Sequence, residues 1–139
     1  MKNKILLTIV TPEKTVLNHK EVDFVSIPAF EGEMGILPGH IPFVVQIKEG
    51  ILRYTDSLKK EFFAVAGGFA EINKNEVLIL AEAAEFSREV DEERARQAYQ
   101  KAKESIAMRG KDLDFDSAQA ALKRAAVRLK LAELRRKHK

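Results

Sequence analysis

Short apolar runs separated by turn residues characterise the first part of the chain. The runs are rich in Val, Ile, Phe and Thr, and several alternate apolar and polar positions, as half-buried strands do. Their spacing of roughly 8 to 12 residues is typical of a sandwich or flattened barrel. The sequence predicts an all-β domain over residues 4–84, with strands in LLTIV, EVDFVSI, PFVVQI, GILRYT, EFFAVA, FAEI and EVLILA, a hairpin turn at residues 72–76 and a tight turn or bulge at Gly67-Gly68.

After residue 87 the apolar pattern takes the period of a helix. Asp91 is placed to cap a first helix that ends at Gly110, and a second helix begins near residue 112 or 114. The short polar connection indicates an antiparallel hairpin. The predicted fold class is α+β in two domains, an N-terminal all-β sandwich over residues 1–87 followed by a C-terminal antiparallel two-helix hairpin over residues 88–139.

The predicted contact between the two helices is thin. Burying a Leu or Phe side chain stabilises a fold by about 1.5–3 kcal/mol and an alanine methyl by about 0.8 kcal/mol. Two interpretations stay open: a marginal hairpin whose second helix can leave the first, or a stable hairpin that also packs on the β domain. The predicted seam holds mostly small residues: Ala95, Ala98, Ala102 and Ser105 on the first helix, and Phe115, Ala118, Leu122, Ala125, Leu129 and Ala132 on the second.

The stretch EGEMGILPGHIPFV at residues 31–44 combines turn residues with apolar side chains. It has three glycines and two prolines, which break regular structure, and a single histidine, His40. A turn that carries apolar side chains is either a site of chemistry or a surface that a partner covers. His40 lies on this turn without a serine or cysteine nucleophile in an obvious partnership, so a turn or contact role is favoured over a catalytic one.

Charge is distributed unevenly along the 139 residues. The net charge is +3, but residues 123–139 hold eight Lys or Arg and one Glu, so the rest of the chain is acidic. Such a basic end predicts an acidic partner, or else a solvated helix end whose cations complement the helix dipole. The chain has no cysteine, its three histidines lie far apart, and no stretch has the length of a signal peptide or membrane span.

Enzyme motifs are missing, but one charged cluster suggests a ligand. No phosphate-binding loop, dinucleotide fingerprint or hydrolase signature occurs. Arg124 and Arg128 share one face of the second helix, and Arg94 and Lys101 share one face of the first. If the helices fold together, these cations could converge on a polyphosphate, with Asp91 near an adenine edge. The alternative is that they form a solvated charged face.

The sequence resembles the epsilon subunit of bacterial F-type ATP synthases. GEMGILPGHIPFV, AVAGGFAEI, EVLILAEAAE, VDEERA and ALKRA carry the resemblance, which spans residues 4 to 135. It implies a non-catalytic central-stalk subunit, peripheral at the cytoplasmic face of the bacterial membrane, whose sandwich contacts the gamma subunit and, through Glu33 and His40, the polar loops of the c-ring. It also implies a mobile hairpin that can extend into the alpha/beta catalytic head and inhibit ATP hydrolysis.

Some Bacillus-like members of that family bind ATP on the folded hairpin. Their motif of Ile or Leu, Asp, two variable residues, Arg and Ala is similar to Val90, Asp91, Arg94 and Ala95 here, with Val90 departing conservatively. The resemblance also implies ATP contacts for Glu85, Arg124, Arg128 and Lys101. Lys101 stands where those members carry arginine, and it lacks the planar fork that holds two phosphate oxygens. ATP is thus an expected regulatory ligand, and the sequence requires no metal.

Two other function classes stay open. A basic-tailed nucleic-acid-binding module would use residues 123–139, although the β domain shows no interleaving of basic and aromatic residues. A small nucleotide hydrolase would need a base and a metal site near the arginines, for which Asp91 and Glu85 are the available carboxylates. The resemblance favours neither of these, and it implies neither nucleic-acid binding nor direct membrane insertion.

Overall fold

The computed structural model describes residues 4–108 and 115–137. In chain order, these residues form eight strands, a short 3-10 helix and two α-helices. The elements are β1 Ile5–Val10, β2 Thr15–Val22, β3 Phe24–Ala29, β4 Gly32–Ile36, β5 Phe43–Ile47, β6 Gly50–Asp56, β7 Lys59–Asn73, β8 Glu76–Phe86, the 3-10 helix Ser87–Glu89, α1 Glu92–Met108 and α2 Phe115–Lys137.

The strands form a β-sandwich with the hydrogen-bonded order β2-β1-β8-β7-β5-β3-β4, and β6 pairs with both β3 and β7. β1 runs parallel to β8, and the other strand pairs of the described chain are antiparallel. β7 pairs with β6 through residues 59–65 and with β5 through residues 68–72. This one long strand therefore belongs to both halves of the sandwich.

One apolar core fills the sandwich. Alternate residues of β1, Ile5, Leu7 and Ile9, point into it and are fully buried, and Ile79 of β8 meets them from the parallel neighbour. Tyr54 of β6 is also buried, and its ring lies 6.1 Å from that of Phe63. Burial raises the pKa of Tyr54 to about 12, with the Glu61 carboxylate adding to the rise.

The structure corrects three details of the predicted β domain. The run EVDFVSI is interrupted at Asp23, where β2 ends and β3 begins, and residues 32–36 of the glycine-rich stretch form β4 rather than a turn. The prediction of a tight turn or bulge at Gly67-Gly68 is wrong, because both residues lie inside β7 with unbroken pairing register to β8. The hairpin turn at residues 72–76 is confirmed, since β7 ends at Asn73 and β8 begins at Glu76.

Gly68 is needed for a close approach of two strands. A Cβ atom built on Gly68 would stand 1.9 Å from the carbonyl oxygen of Leu80 in β8, whereas one on Gly67 would meet only the Ile47 carbonyl oxygen at 3.5 Å. The first distance is a steric clash with backbone, and the second is ordinary contact. The glycine pair therefore marks a packing constraint at the point where β7 changes partner.

The predicted helical hairpin is present and packs on the sandwich. As predicted, Asp91 caps α1: its side-chain Oδ1 accepts the backbone N–H of Arg94 at 3.2 Å. A second apolar cluster joins the hairpin to the outer face of β6 and β7, and its buried members are Phe62, Val90, Ala95, Leu131 and Ala132. The predicted helix boundaries at Gly110 and at residue 112 or 114 lie outside the described residues.

The predicted seam between the helices is right in part. Ala95, Ala125 and Ala132 are buried, and Ala102, Ser105, Ala118, Leu122 and Leu129 are partly buried, but Ala98 is exposed. Leu131, which the seam omitted, is fully buried in the apolar cluster that also holds Phe62 of the sandwich and Val90 of the linker. The apolar stripe of α2 is therefore shared between α1 and the sandwich. The side chain of Phe115 is not among those that the structure describes.

We expect Gly68→Ala to lower the free energy of unfolding of the sandwich by about 1–3 kcal/mol, because β7 and β8 must separate to admit the methyl group. Gly67→Ala is the matched control and should change stability by less than about 0.5 kcal/mol. Urea unfolding followed by circular dichroism measures both. Equal midpoints for the two variants would contradict the clash.

Tyr54 makes the stability of the sandwich fall at high pH. Because the folded pKa is about 12 and the unfolded pKa is 10, the folded state keeps its proton longer. The contribution is fully present below pH 10 and is lost as pH rises toward 12, by up to about 1.4 kcal/mol per pH unit. Urea melts between pH 9 and 12 should show this loss in the wild type and less of it in Tyr54→Phe; parallel curves would exclude Tyr54 as its source.

Candidate functional site

A cavity of about 370 Å³ lies between α2 and the sandwich. The α2 side chains Arg124, Val127 and Arg128 form one wall, and alanines of β7 and β8 leave the space opposite them. Loop and linker carboxylates complete the cavity. Its volume is within the range of small-molecule sites. The remaining lining residues are Glu13, Lys14, Glu49, Ala64, Val65, Ala66, Ala83, Ala84, Glu85 and Glu89.

Arg128 and Glu85 form a two-bond ion pair at this cavity. Arg128 Nε donates to Glu85 Oε1 at 2.7 Å, and Arg128 Nη2 donates to Glu85 Oε2 at 3.1 Å. The hydrogen bond to Glu85 raises the pKa of Arg128 above its usual value. Both side chains are about one third exposed or more, so solvent screening keeps the pair's contribution to stability near 1 kcal/mol or below. The pair ties α2 to the end of β8.

The structure brings together three of the eight residues predicted to bind ATP. Glu85, Arg124 and Arg128 line the cavity. Val90 and Ala95 are buried in the apolar cluster beneath the hairpin, and Asp91 is the α1 cap. Arg94 and Lys101 are exposed side chains of α1, and neither lines the cavity. Sequence spacing predicted which cations share one face of a helix. It did not predict which of those faces lines the cavity.

The charges around the cavity oppose one another. Four carboxylates, those of Glu13, Glu49, Glu85 and Glu89, face three cations, those of Lys14, Arg124 and Arg128. Within the described chain, Glu49 Oε2 is buried and has no hydrogen-bond partner. A buried acceptor without a partner carries a desolvation cost. The two arginines favour a ligand with an anionic part, and the four carboxylates oppose it.

A second candidate surface is the turn between β4 and β5. Ile41 is 76% exposed and Leu37 60%, so the apolar side chains of this turn are open to solvent. His40 is partly buried, and its ring centroid lies 5.1 Å from that of Phe43. The turn is held by Gly39, which adopts φ +83° and donates its N–H to the Lys74 carbonyl at 3.0 Å.

Glu33, the other predicted ring contact, lies on β4 beside this turn. Its carboxylate Oε1 accepts the hydroxyl of buried Ser26 at 2.5 Å and stands 3.9 Å from Arg53 Nη2. The side chain is nevertheless 69% exposed, so a partner can reach it. Glu33 thus combines a structural contact with an accessible charge.

Sequence reasoning did not single out a third feature, the apolar outer face of the sheet. Phe69 of β7 pairs directly with Leu80 of β8, and the two side chains are 53% and 47% exposed. Val44 of β5, 65% exposed, lies on the same face. The available indication was that Phe69 and Leu80 occupy positions that strand alternation assigns to solvent. An exposed apolar group of this kind marks an interaction surface.

The basic end of the chain makes intrachain contacts. Besides the Arg128 pair, Arg136 Nη1 lies 3.3 Å from Glu92 Oε2, and Arg135 donates to backbone carbonyls before α1. Lys123 and Lys130 are exposed. Part of the cationic surface predicted to meet an acidic partner is therefore committed to holding α2 in place.

Within residues 4–108 and 115–137, no group of three His, Asp or Glu side chains is placed to hold a metal ion. Neither α1 nor α2, over its described length, has an apolar stretch that could cross a bilayer.

A β-sandwich that carries a two-helix hairpin and leaves apolar surfaces uncovered defines a class of protein built for assembly. Family models place the chain within this class. The model described as the ATP synthase delta/epsilon chain β-sandwich domain matches residues 4–87, and that described as the long alpha-helix domain of the same chain matches residues 88–133. The chain belongs to the ATP synthase delta/epsilon chain family.

Relatives and a solved structure agree with this membership. The ATP synthase epsilon chain of Syntrophobacter fumaroxidans is 48% identical over 133 residues, covering 96% of this chain and 98% of its own length. That of Carboxydothermus hydrogenoformans is 50% identical over 109 residues, covering 78% and 81%. A chain of the Euglena gracilis mitochondrial ATP synthase structure, which contains OSCP, F1 and the c-ring, has a TM-score of 0.82 at 28% identity, over 96% of this chain and 83% of that one.

These similarities confirm the predicted resemblance to bacterial epsilon chains and the predicted fold class. An epsilon chain is a structural or regulatory subunit of the ATP synthase and not the catalytic one, as the missing enzyme motifs suggested.

Proposed function

We propose that this subunit works in the central stalk of a proton-translocating ATP synthase. There it couples rotation between the membrane ring and the catalytic head, and its hairpin regulates ATP hydrolysis. It would be peripheral, at the cytoplasmic face of the cell membrane. Family membership and the Euglena complex support the stalk role. The observation that carries it is the pair of uncovered apolar surfaces on the sandwich, at the 37–42 turn and on the outer face of β5, β7 and β8.

The turn surface is the proposed contact with the polar loops of the c-ring. Its apolar side chains, Leu37 and Ile41, stand on a backbone fixed by Gly39 and by the core contacts of Phe43. Glu33 supplies an accessible charge at its edge, and His40 supplies a ring packed on Phe43. A rigid turn with an apolar tip can transmit torque, because the turn itself deforms little when the ring pushes on it.

The outer sheet surface is the proposed contact with the gamma subunit. Phe69, Leu80 and Val44 are large apolar side chains on a flat, hydrogen-bonded sheet, which is a pre-organised docking surface. Apolar and aromatic anchors of this kind carry most of the binding energy at protein interfaces. The hairpin occupies a different part of the sandwich, the outer face of β6 and β7, so gamma and the folded hairpin can bind together.

The hairpin is the proposed regulatory element. Its attachment to the sandwich fully buries only two large side chains of the hairpin, Leu131 and Val90. Leu129 and Leu134 are partly buried against them, and the remaining hairpin members of the cluster are alanines. At 1.5 Å per residue, α1 and α2 laid end to end would reach about 60 Å, the length needed to run along a stalk. Contacts of the basic end with acidic surface of the alpha/beta catalytic head would offset the lost packing.

ATP is the proposed ligand that favours the folded hairpin. The support is that Arg124 and Arg128 bring two guanidinium groups to one cavity. The fit is partial, because Arg94 and Lys101 lie outside the cavity and Arg128 is already paired with the Glu85 carboxylate. A phosphate must displace Glu85 or share Arg128 with it, which lowers the net gain. ATP can shift the hairpin only by the difference between its affinities for the folded and extended forms.

Titration calorimetry of the isolated chain with ATP, and with ADP for comparison, tests the ligand. We expect saturable binding, and we expect Arg124→Ala to weaken it by about 10-fold to 100-fold, since a hydrogen bond to a charged group contributes about 1.5–3 kcal/mol. Lys130→Ala removes a cation from the same helix and should change affinity by less than about threefold. Equal effects of the two changes would mean that the arginines are only a charged face.

The stalk role is tested by docking with purified gamma subunit. Phe69→Ala should weaken the complex by about 2 kcal/mol or more, roughly 30-fold in Kd, because it removes an aromatic anchor from the outer sheet surface. Leu58→Ala is the control, since Leu58 is fully exposed at the β6-β7 turn, away from that surface. Unchanged affinity for Phe69→Ala, or an equal loss in Leu58→Ala, would remove the outer face from the proposal.

A further inference from the structure

We propose that Arg135 is a latch: a positioning residue that fastens the end of α2 to the linker between the two domains and sets how often the hairpin opens. This inference deepens the proposed regulatory role of the hairpin and rests on it. It concerns a contact outside the ATP cavity.

The contact is made by one guanidinium nitrogen to two backbone carbonyls. Arg135 Nη1 donates to the Ser87 oxygen at 2.9 Å and to the Val90 oxygen at 2.8 Å. Ser87 and Val90 are 4% and 2% exposed, so the contact lies at the edge of a dry region. Leu131 and Ala132, one turn earlier on α2, are fully buried in the same region. Bulk water therefore has limited access to the two carbonyls.

The position of the acceptors makes the contact a latch and not ordinary packing. Residues 87–90 are the connection between β8 and α1, and Val90 directly precedes the cap residue Asp91. Arg135 stands near the other end of the hairpin, 45 residues along the chain from Val90. The contact therefore joins the end of α2 back to the residues that precede α1. It exists only while α2 is folded back, because an extended α2 would carry Arg135 about 60 Å from its partners.

Neighbouring arginines make contacts of a different kind. Arg136, which is 60% exposed, pairs with the partly buried carboxylate of Glu92, an ion pair at the surface that salt screens and in which Arg96 shares the same carboxylate oxygen. Arg128 meets Glu85 at the cavity, where a phosphate would compete. The partners of Arg135 are uncharged and do not line the cavity, so neither salt nor a bound nucleotide displaces them directly. Of these three arginines, Arg135 is the one whose contact depends on the hairpin conformation alone.

Thiol labelling of the full chain, free of nucleotide, tests the latch. The natural chain has no cysteine, so Ala132→Cys or Ala125→Cys introduces a single thiol at a buried α2 position. Such a thiol reacts with a disulfide reagent only when α2 leaves its place, and the labelling rate therefore reports the opening equilibrium. We expect Arg135→Ala to raise the rate at both positions by about tenfold or more. Arg136→Ala, the matched control, should raise it by less than about twofold.

Three labelling results would overturn the latch. The first is an unchanged rate in Arg135→Ala, and the second is an equal change in Arg136→Ala. The third is faster labelling at residue 132 but not at residue 125, which would mean that only the end of α2 frays. A thiol placed in the sandwich core by Ile79→Cys should stay equally protected in all variants, and its exposure would mean general unfolding and would equally count against the latch.

The same assay separates this inference from the ATP proposal. If Arg135→Ala opens the hairpin while ATP has no effect on labelling, the latch holds and the nucleotide role fails. If ATP slows labelling in the wild type while Arg135→Ala behaves as the wild type does, the nucleotide role holds and the latch fails.

Discussion

The attachment of α2 is the interaction on which the proposed regulatory role of the hairpin depends. If α2 opens as proposed, it cannot be held by a core of the size that closes the sandwich. Accordingly, the cluster beneath the hairpin has two fully buried large side chains from the hairpin, Val90 and Leu131, two partly buried leucines, Leu129 and Leu134, and otherwise alanine. The remaining attachment comes from arginines whose partners are two partly exposed carboxylates and two backbone carbonyls. Polar contacts of this kind can be exchanged for water or for another protein at modest cost, whereas buried leucines cannot.

The sandwich has the opposite requirement, because in the proposed role it stays rigid while partners and the hairpin bind its outer faces. Its closure depends on β7, which changes partner from β6 to β5 within one continuous strand. Gly68 permits the close approach of β8 at that change, and the buried β1 and β8 residues fill the space between the layers. The same strand then presents Phe62 to the hairpin and Phe69 to solvent. A single element thus sets the geometry of both outer surfaces relative to each other.

Sequence patterns predicted the elements well and their tertiary environment less well. Alternation and helix capping located the β domain, the 72–76 turn and Asp91 correctly, because these depend on neighbours in the chain. The pattern failed where contacts between distant segments decide. Gly67-Gly68 looked like a turn because the clash with Leu80 is invisible in the sequence, and β4 was hidden because its pairing with β3 outweighs the glycine content. Ala98 was assigned to the seam by period alone, whereas in the structure it is exposed.

The predicted ATP residues show the same limit with a functional consequence. Helical spacing put Arg124 and Arg128 on one face and the resemblance added Glu85, and the structure places all three at one cavity, but neither source could show that Glu85 already pairs with Arg128. That pair stabilises the folded hairpin even without a ligand, since it joins α2 to β8. A nucleotide would then gain the difference between its own contacts and the pair that it replaces. The four carboxylates around the cavity reduce that difference further for a polyphosphate. A weak, exchangeable ligand acting on a weakly attached helix is what a sensor of abundant nucleotide requires, because tight binding would hold the hairpin folded at every cellular concentration.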